Sequence, residues 1–592
     1  MLDQLFHVIF SSTGRAKLVL VFLITLCWLP SLHTGMFPVD TEWLVEHNVL
    51  LHQFPPPLDT IWLDLSTETR LLLGAEYLPV RDLSVWLQLY IFGHQWAWHH
   101  LVNMLIYLAS TVLLYDILIE LFKENRYSWL ATLIFSIHTT HIESVAWLAN
   151  HKDILSLFFV LLCVYVFLKS TRGILWAAPI GLMAYWSKNT AIILPPLIFA
   201  LTFTTQKANP KSIKWWFQWL PIAVCFGVGL LITLNVGSKV SMFALERADT
   251  AWGTFSITAQ VWFEYLKMLL WPNSLALFYV EPGPMPMYDP ATAIGTALIL
   301  GHILLPIFLW KKHPLITISL LWIGLGLLPV SQISPIQNLM ADRYLLLPSI
   351  GYAILISLLA KRWIHGWRKV TMVAYCLGLF LLTATRLPIW HDEALVWQDL
   401  IEKQPKEPRG WTSYAALLVE QNKFTQAEDV IKEAFKVLPN DPLLAQTIGG
   451  IALRKGSFLD AESSLKMSWN ADKDRRVAAN NLCSLLQNQN RLSEARQLAE
   501  ELVSIHPLYA TGWNTLGSVA LNQQDLQRAA SALHRAHQLA PYATTPLINL
   551  GNLAYIEKDL EKAAYWWERS LEINPNLDHP KRGLEAIKSI SP

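Results

Sequence analysis

Ala427, Ala461, Ala495, Ala529 and Ala563 follow one another at steps of 34 residues. Ala415, Gly449, Cys483, Gly517 and Gly551 keep the same step, as do Pro439, Pro507, Pro541 and Pro575, with Lys473 filling the one gap. A fixed period of this length leaves few folds open. Each repeat must be one supersecondary unit that cannot bury its apolar face alone, so the units stack. A small residue in each helix lets two helices approach closely, and proline ends the second. The region 408–578 therefore reads as five two-helix repeats in an α-solenoid.

A 34-residue helix-turn-helix period with these positions is the tetratricopeptide signature. Such arrays offer a concave surface to extended peptides. Gln446, Asn480 and Asn514 are in register on the first-helix face, as are Ser484, Ser518 and Asn552. Side-chain amides can hydrogen-bond a peptide backbone without reading its sequence. Asn480, Asn514 and Asn552 are therefore candidate acceptor-peptide contacts; a plain solvated helix face is the alternative.

Upstream the pattern changes to apolar runs separated by short polar breaks. Only 15% of the chain is charged and 53% is hydrophobic, where a soluble chain carries about a quarter charged residues. A span needs roughly 20 apolar residues. The runs are 17–34, 98–122, 127–147, 154–169, 173–187, 190–206, 215–236, 291–310, 315–333, 345–360 and 370–387, or about 11 spans. Every second loop is basic: "FKENR", "KSTR", "QKANPKSIK", "WKKH" and "KRWIHGWRK". By the positive-inside rule these are cytoplasmic, and Arg15 and Lys17 put the N-terminus with them. The loops 35–97, 237–290 and 334–344 then lie outside with the repeats. The segment 255–272 is expected as an outer interfacial or re-entrant helix, since a further span would break the alternation. The expected fold class is all-α, with a polytopic membrane domain over 1–387, a linker over 388–407 and a tetratricopeptide domain over 408–592.

The net charge of +1 implies no nucleic-acid partner. The five cysteines show no zinc-type spacing. No Asn-x-Ser/Thr sequon is present, which favours a bacterial inner membrane over the endoplasmic reticulum.

Ionisable groups beside membrane spans are functional candidates. On the outer side they are Asp40 and Glu42, Arg81 and Asp82, Lys188, and Asp342 with Arg343. The stretch "FSIHTTHIESVAWLANHKD" adds His138, His141, Glu143 and, as a second candidate acid, Asp153. Three readings compete for His138, His141 and Glu143. They could bind a metal, close a helix end, or stand beside an active site.

The motifs resemble those of the GT-C type membrane glycosyltransferases, and in particular of the transmembrane and tetratricopeptide-containing protein O-mannosyltransferases and their bacterial relatives. "HTTHIESVA" is similar to a His-Pro-x-His-x-Glu-Ala/Ser-Val pattern, and "YLPVRDLS" to Tyr-Arg-Pro-Leu-x-x-Leu-Ser. "HHLVN" and "MADRYLLLPSIGY" complete the likeness. Departures are Val39 before Asp40 where the family has paired acids, Thr139 after His138, and Asn189 after Lys188. The resemblance implies transfer of a sugar from a polyprenyl-phosphate donor to hydroxyls of extracytoplasmic proteins. It implies Asp40 as general base with Glu42 as accessory, and His138, His141 and Glu143 beside the reaction. Arg343, Lys188 and Arg81 would meet the lipid phosphate. No metal ligand set and no cofactor is assigned, although a divalent ion is compatible with this chemistry. Implied partners are the lipid-linked sugar, membrane lipids and an acceptor polypeptide at the repeats. A glycan or lipid acceptor, and a non-enzymatic membrane scaffold, are the alternatives.

Overall fold

The computed structural model describes residues 10–46, 48–170, 173–205, 211–240, 248, 250–332, 336, 338–363 and 368–590. Two compact units result, Met1–Gln404 and Pro405–Pro592. Among the described residues both are helical, without strands.

Among the described residues of the first unit, six helices are long and apolar enough to cross a membrane: Thr13–His33, Trp96–Phe122, Leu148–Lys169, Trp215–Lys239, Pro290–Leu309 and Lys369–His391. Asn189–Thr204 and Pro314–Val330 are shorter apolar helices. The chain is an integral membrane protein. The segment expected as non-spanning is the helix Ala251–Leu270, which is not among the six. Gly295 and Gly351 sit where helices touch: a Cβ on Gly295 would meet the backbone of Ala259, and one on Gly351 the carbonyl of Ser319. Small residues at such crossings let membrane helices pack backbone to backbone.

The expected span 127–147 is not one helix. Asn125–Ser136 is helical, and the chain then breaks into short turns, Thr139–His141, Ile142–Ala146 and Leu148–Asn150. At about 1.5 Å per residue that helix alone is shorter than roughly 30 Å of hydrocarbon. The break is satisfied from outside the segment. Trp28 Nε1–H and Tyr107 O–H donate to the Ser136 carbonyl at 2.8 and 3.1 Å, and Thr383 O–H donates to the Ile137 carbonyl at 2.9 Å. Carbonyls that another helical turn would have paired are thus paired by side chains.

The segment 388–407, expected as a linker, holds the 3-10 turn Leu387–His391 and the helix Glu393–Lys403. Val396, Trp397 and Leu400 of that helix are buried, so apolar periodicity had already resumed there.

The second unit contains five helix pairs, Pro408–Glu420 with Phe424–Val437 through Thr544–Ile556 with Leu560–Ile573, and then Asp578–Ile590. The turn inside every pair uses one left-handed residue in the same register: Asn422, Gly456, Asn490, Gln524 and Lys558. Only one is glycine, so the other four accept a modest backbone cost of about 1 kcal/mol each. The helix pairs also match in size. Cβ atoms on Gly449 and Gly517 would approach Leu465 and Leu533 within 2.8 and 2.6 Å, and one on Gly551 would strike Trp567. Where the first helix carries the larger Cys483, its core neighbour from the second is Ala499. Interiors pack at fixed density, so a larger partner on one helix requires a smaller one on the other.

Candidate active site

The breaks after Ser136 carry the His138–Glu143 motif into the interior. His138 and His141 are buried, and both ring nitrogens of each are engaged. His138 Nε2 faces the Leu269 carbonyl at 3.0 Å, so it donates, and Nδ1 meets Thr140 Oγ1 at 2.8 Å. His141 lies between Tyr107 O–H at 2.7 Å and Ser349 Oγ at 2.8 Å. These rings brace helices against one another and offer no open nitrogen. Among the described residues no group of three or more His, Cys, Asp or Glu side chains converges as a metal centre requires.

Glu143 turns the other way. It forms an ion pair with the Arg343 guanidinium, and its second oxygen accepts the Arg343 backbone N–H at 3.0 Å. Arg343 also lies over the rings of Trp147 and Tyr344, 5.6 and 5.2 Å from their centroids. Burial works against the cation, but the Glu143 carboxylate outweighs it and holds Arg343 above its ordinary range. Lys188 forms a second buried pair with Asp153. For Lys188 burial prevails over Asp153, and its ammonium is held below its ordinary value. Asp153, Lys188, Arg343 and Tyr344 line one cavity of about 20 Å³, room for about one water.

A third pair flanks these. Lys152 Nζ meets Glu76 Oε2 at 2.5 Å. Burial would raise the Glu76 carboxyl, but Lys152 and Arg81 more than offset it, leaving it lowered. Sequence reasoning named neither Glu76 nor Lys152. The signal was present in "EYLPVRD", where Glu76 stands six residues before Asp82, and in "HKD", where Lys152 abuts Asp153.

Arg81 does not line the cavity. It is buried, with Nε on Asp82 at 2.5 Å and Nη2 on the Leu73 carbonyl at 2.6 Å. It ties the first loop together rather than facing a ligand. Asp342 is buried, accepts a hydrogen bond from the Tyr279 hydroxyl, and is pushed up to about 7, first by burial and then by the neighbouring Glu143 charge. Tyr279 is a further partner the sequence did not suggest.

Asp40 is exposed, in the turn Pro38–Thr41. Its backbone is left-handed, with φ of 58° and ψ of −24°, a conformation Asp tolerates better than most residues. The turn is pinned to the cation site. Trp147, whose ring lies under Arg343, donates its Nε1–H to the Val39 carbonyl at 2.8 Å, and Phe37 packs edge-on against it at 5.8 Å. The side chain of Glu42 lies outside the described residues.

In the repeats the candidate asparagines pair between neighbours. Asn480 Oδ1 accepts from Thr515, Asn514 Oδ1 accepts from Asn549 at 2.9 Å, and Asn552 Oδ1 meets His579 Nε2 at 2.8 Å. These bonds use the amide oxygens and stitch successive first helices together.

Comparison with known proteins agrees with the motifs. A tetratricopeptide repeat family model matches residues 482–544. The chain is 23% identical over 565 residues to Protein O-mannosyl-transferase TMTC3 of Homo sapiens, covering 83% of this chain and 60% of that protein. It is 21% identical over 450 residues to Protein O-mannosyl-transferase F38B6.6 of Caenorhabditis elegans, covering 72% and 64%. With Protein O-mannosyl-transferase tmtc2 of Xenopus laevis it shares 30% over 174 residues, 27% of this chain and 21% of the relative. The chain spans about 60% of the length of the first curated relatives it matches. The resemblance read from the motifs is therefore borne out as similarity over most of the chain.

Proposed function

We propose that this protein is a membrane glycosyltransferase that moves a sugar from a polyprenyl-phosphate donor to Ser or Thr hydroxyls of proteins outside the cytoplasm. The observation that carries the reading is that two cations 155 positions apart, Lys188 and Arg343, line one cavity beside an exposed carboxylate turn pinned by Trp147. The acceptor oxygen attacks the anomeric carbon while the bond from that carbon to the phosphate oxygen breaks. Asp40 accepts the hydroxyl proton. The phosphate leaves with the bonding electrons, and Arg343 and Lys188 stabilise its growing charge. Direct displacement inverts the anomeric centre. Glu143 and Asp153 hold the two cations in position.

An apolar cavity of about 760 Å³, lined by Phe255, Trp262, Ile299, Ile303, Leu321 and Leu325 among others, supports a lipid-linked donor. It and the cationic cavity lie against the same stretch, since Gly326 and Val330 line one while Leu325 and Leu328 line the other. The names of the relatives support mannose as the sugar and protein as the acceptor. The repeat unit would recruit that acceptor, with Asn480, Asn514 and Asn552 offering their amide N–H groups. The absent sequon and the charge of the loops support a bacterial inner membrane with the site on the periplasmic side.

The test is glycan mass spectrometry on extracytoplasmic proteins from cells with the wild-type chain, with Asp40→Asn, and without the chain. Hexose mass on Ser or Thr should vanish in both altered strains. Unchanged protein glycans in all three overturn the protein-acceptor reading.

A further inference from the structure

Every cation at this site is held by a carboxylate, so an incoming phosphate must compete with one. The three pairs are not equally buried. Side-chain exposure is 11% and 1% for Arg343–Glu143, 10% and 4% for Lys188–Asp153, and 21% and 18% for Lys152–Glu76. Drawing one partner from a buried pair leaves the other charge uncompensated, which is strongly destabilising. A pair nearer solvent loses less when it opens, because water takes over part of the released charge. The cation released at least cost is therefore Lys152.

Its position suits that use. Lys152 does not itself line the small cavity; it precedes Asp153, which does, in the first turn of the 19-residue helix His151–Lys169, at the positive end of the helix dipole. Lys152 and Lys188 repel each other, and Glu76 is attracted to both. Lysine is a mobile point charge on a flexible stem, which suits transfer between two anions better than a fixed guanidinium fork.

We propose that Lys152 is a further donor-phosphate-binding residue, held by Glu76 in the empty site and passed to the phosphate when the lipid donor arrives. This rests on the donor class given above. Glu76 is then a positioning residue that competes with the ligand. A structural ion pair and a ligand-exchange pair predict opposite signs for the Glu76 variant. That difference is the test.

The full-length chain in lipid nanodiscs is titrated with a short water-soluble isoprenyl monophosphate, and sugar transfer is assayed on the same preparations. Lys152→Met should weaken phosphate binding about tenfold, the loss of one charge-assisted hydrogen bond. Lys152→Arg should keep most of the affinity, and Glu76→Gln should tighten binding by removing the competitor. Unchanged affinity in Lys152→Met, or weakened binding in Glu76→Gln, overturns the proposal. Normal phosphate binding without any sugar transfer by the wild type would sink the transferase reading and leave this inference standing. A wild type that does not bind the phosphate overturns both.

Discussion

Glu143 receives Arg343 twice, through the guanidinium on one carboxylate oxygen and through the backbone N–H on the other at 3.0 Å, across 200 residues of sequence. The arrangement fixes the direction of the guanidinium as well as its charge. Glu143→Gln should lower the stability sharply, by about 3–5 kcal/mol, because a buried cation loses its partner. Combining it with Arg343→Met should recover much of that stability but no transfer. Thermal unfolding in detergent alongside a transfer assay separates the two. Full activity in the double variant would remove Arg343 from the reaction.

Asp40→Asn is an unusually clean substitution, because asparagine also tolerates the left-handed backbone found there. Transfer should fall by roughly two to four orders of magnitude while the unfolding midpoint stays unchanged. Asp40→Val should lose both activity and stability, since a β-branched residue resists that backbone. Both readouts come from the same purified preparations.

Asp342 gives the protein a pH dependence of defined sign. Its carboxyl is raised to about 7 in the folded protein by burial and by Glu143, against an unfolded value near 3.9. A raised carboxyl stabilises the fold fully below the unfolded value, and that contribution is lost as pH rises through about 7. Unfolding midpoints should therefore fall between about pH 4 and pH 7, and Asp342→Asn should flatten that part of the curve. A wild-type curve identical in slope to the variant's would refute the assignment.

The size match inside the repeats predicts a compensating pair. Cys483→Gly should loosen the third repeat by roughly 1–2 kcal/mol through the cavity it leaves beside Ala499. Adding Ala499→Leu recreates the Gly–Leu match seen at Gly449–Leu465 and Gly517–Leu533 and should restore most of the loss. Ala499→Leu alone, against the cysteine, should destabilise by overpacking. Hydrogen exchange in Arg476–Asn488 and Leu492–Ile505 of the full chain reads all three.

The sequence by itself determined the repeats, the membrane character and the identity of the candidate charges. A 34-residue period and a long apolar run are written in neighbouring residues, and the physics that enforces them, helix pairing and hydrocarbon solvation, acts locally. The partnerships were decided by the tertiary structure. Nothing near Glu143 marks Arg343 as its partner, or near Glu76 marks Lys152, because such pairs depend on which helix ends the packing brings together. The same holds for the helix that stops at Ser136: its apolar pattern runs on to Trp147, and only the donors of Trp28, Tyr107 and Thr383, supplied from distant helices, make the break stable. Arg81 and the two histidines looked equivalent to Arg343 and Lys188 as polar residues beside spans. Burial and hydrogen bonding turned the former into braces and left the latter facing a shared cavity. Sequence spacing carries no information on that choice, since it is made by contacts between segments far apart in the chain.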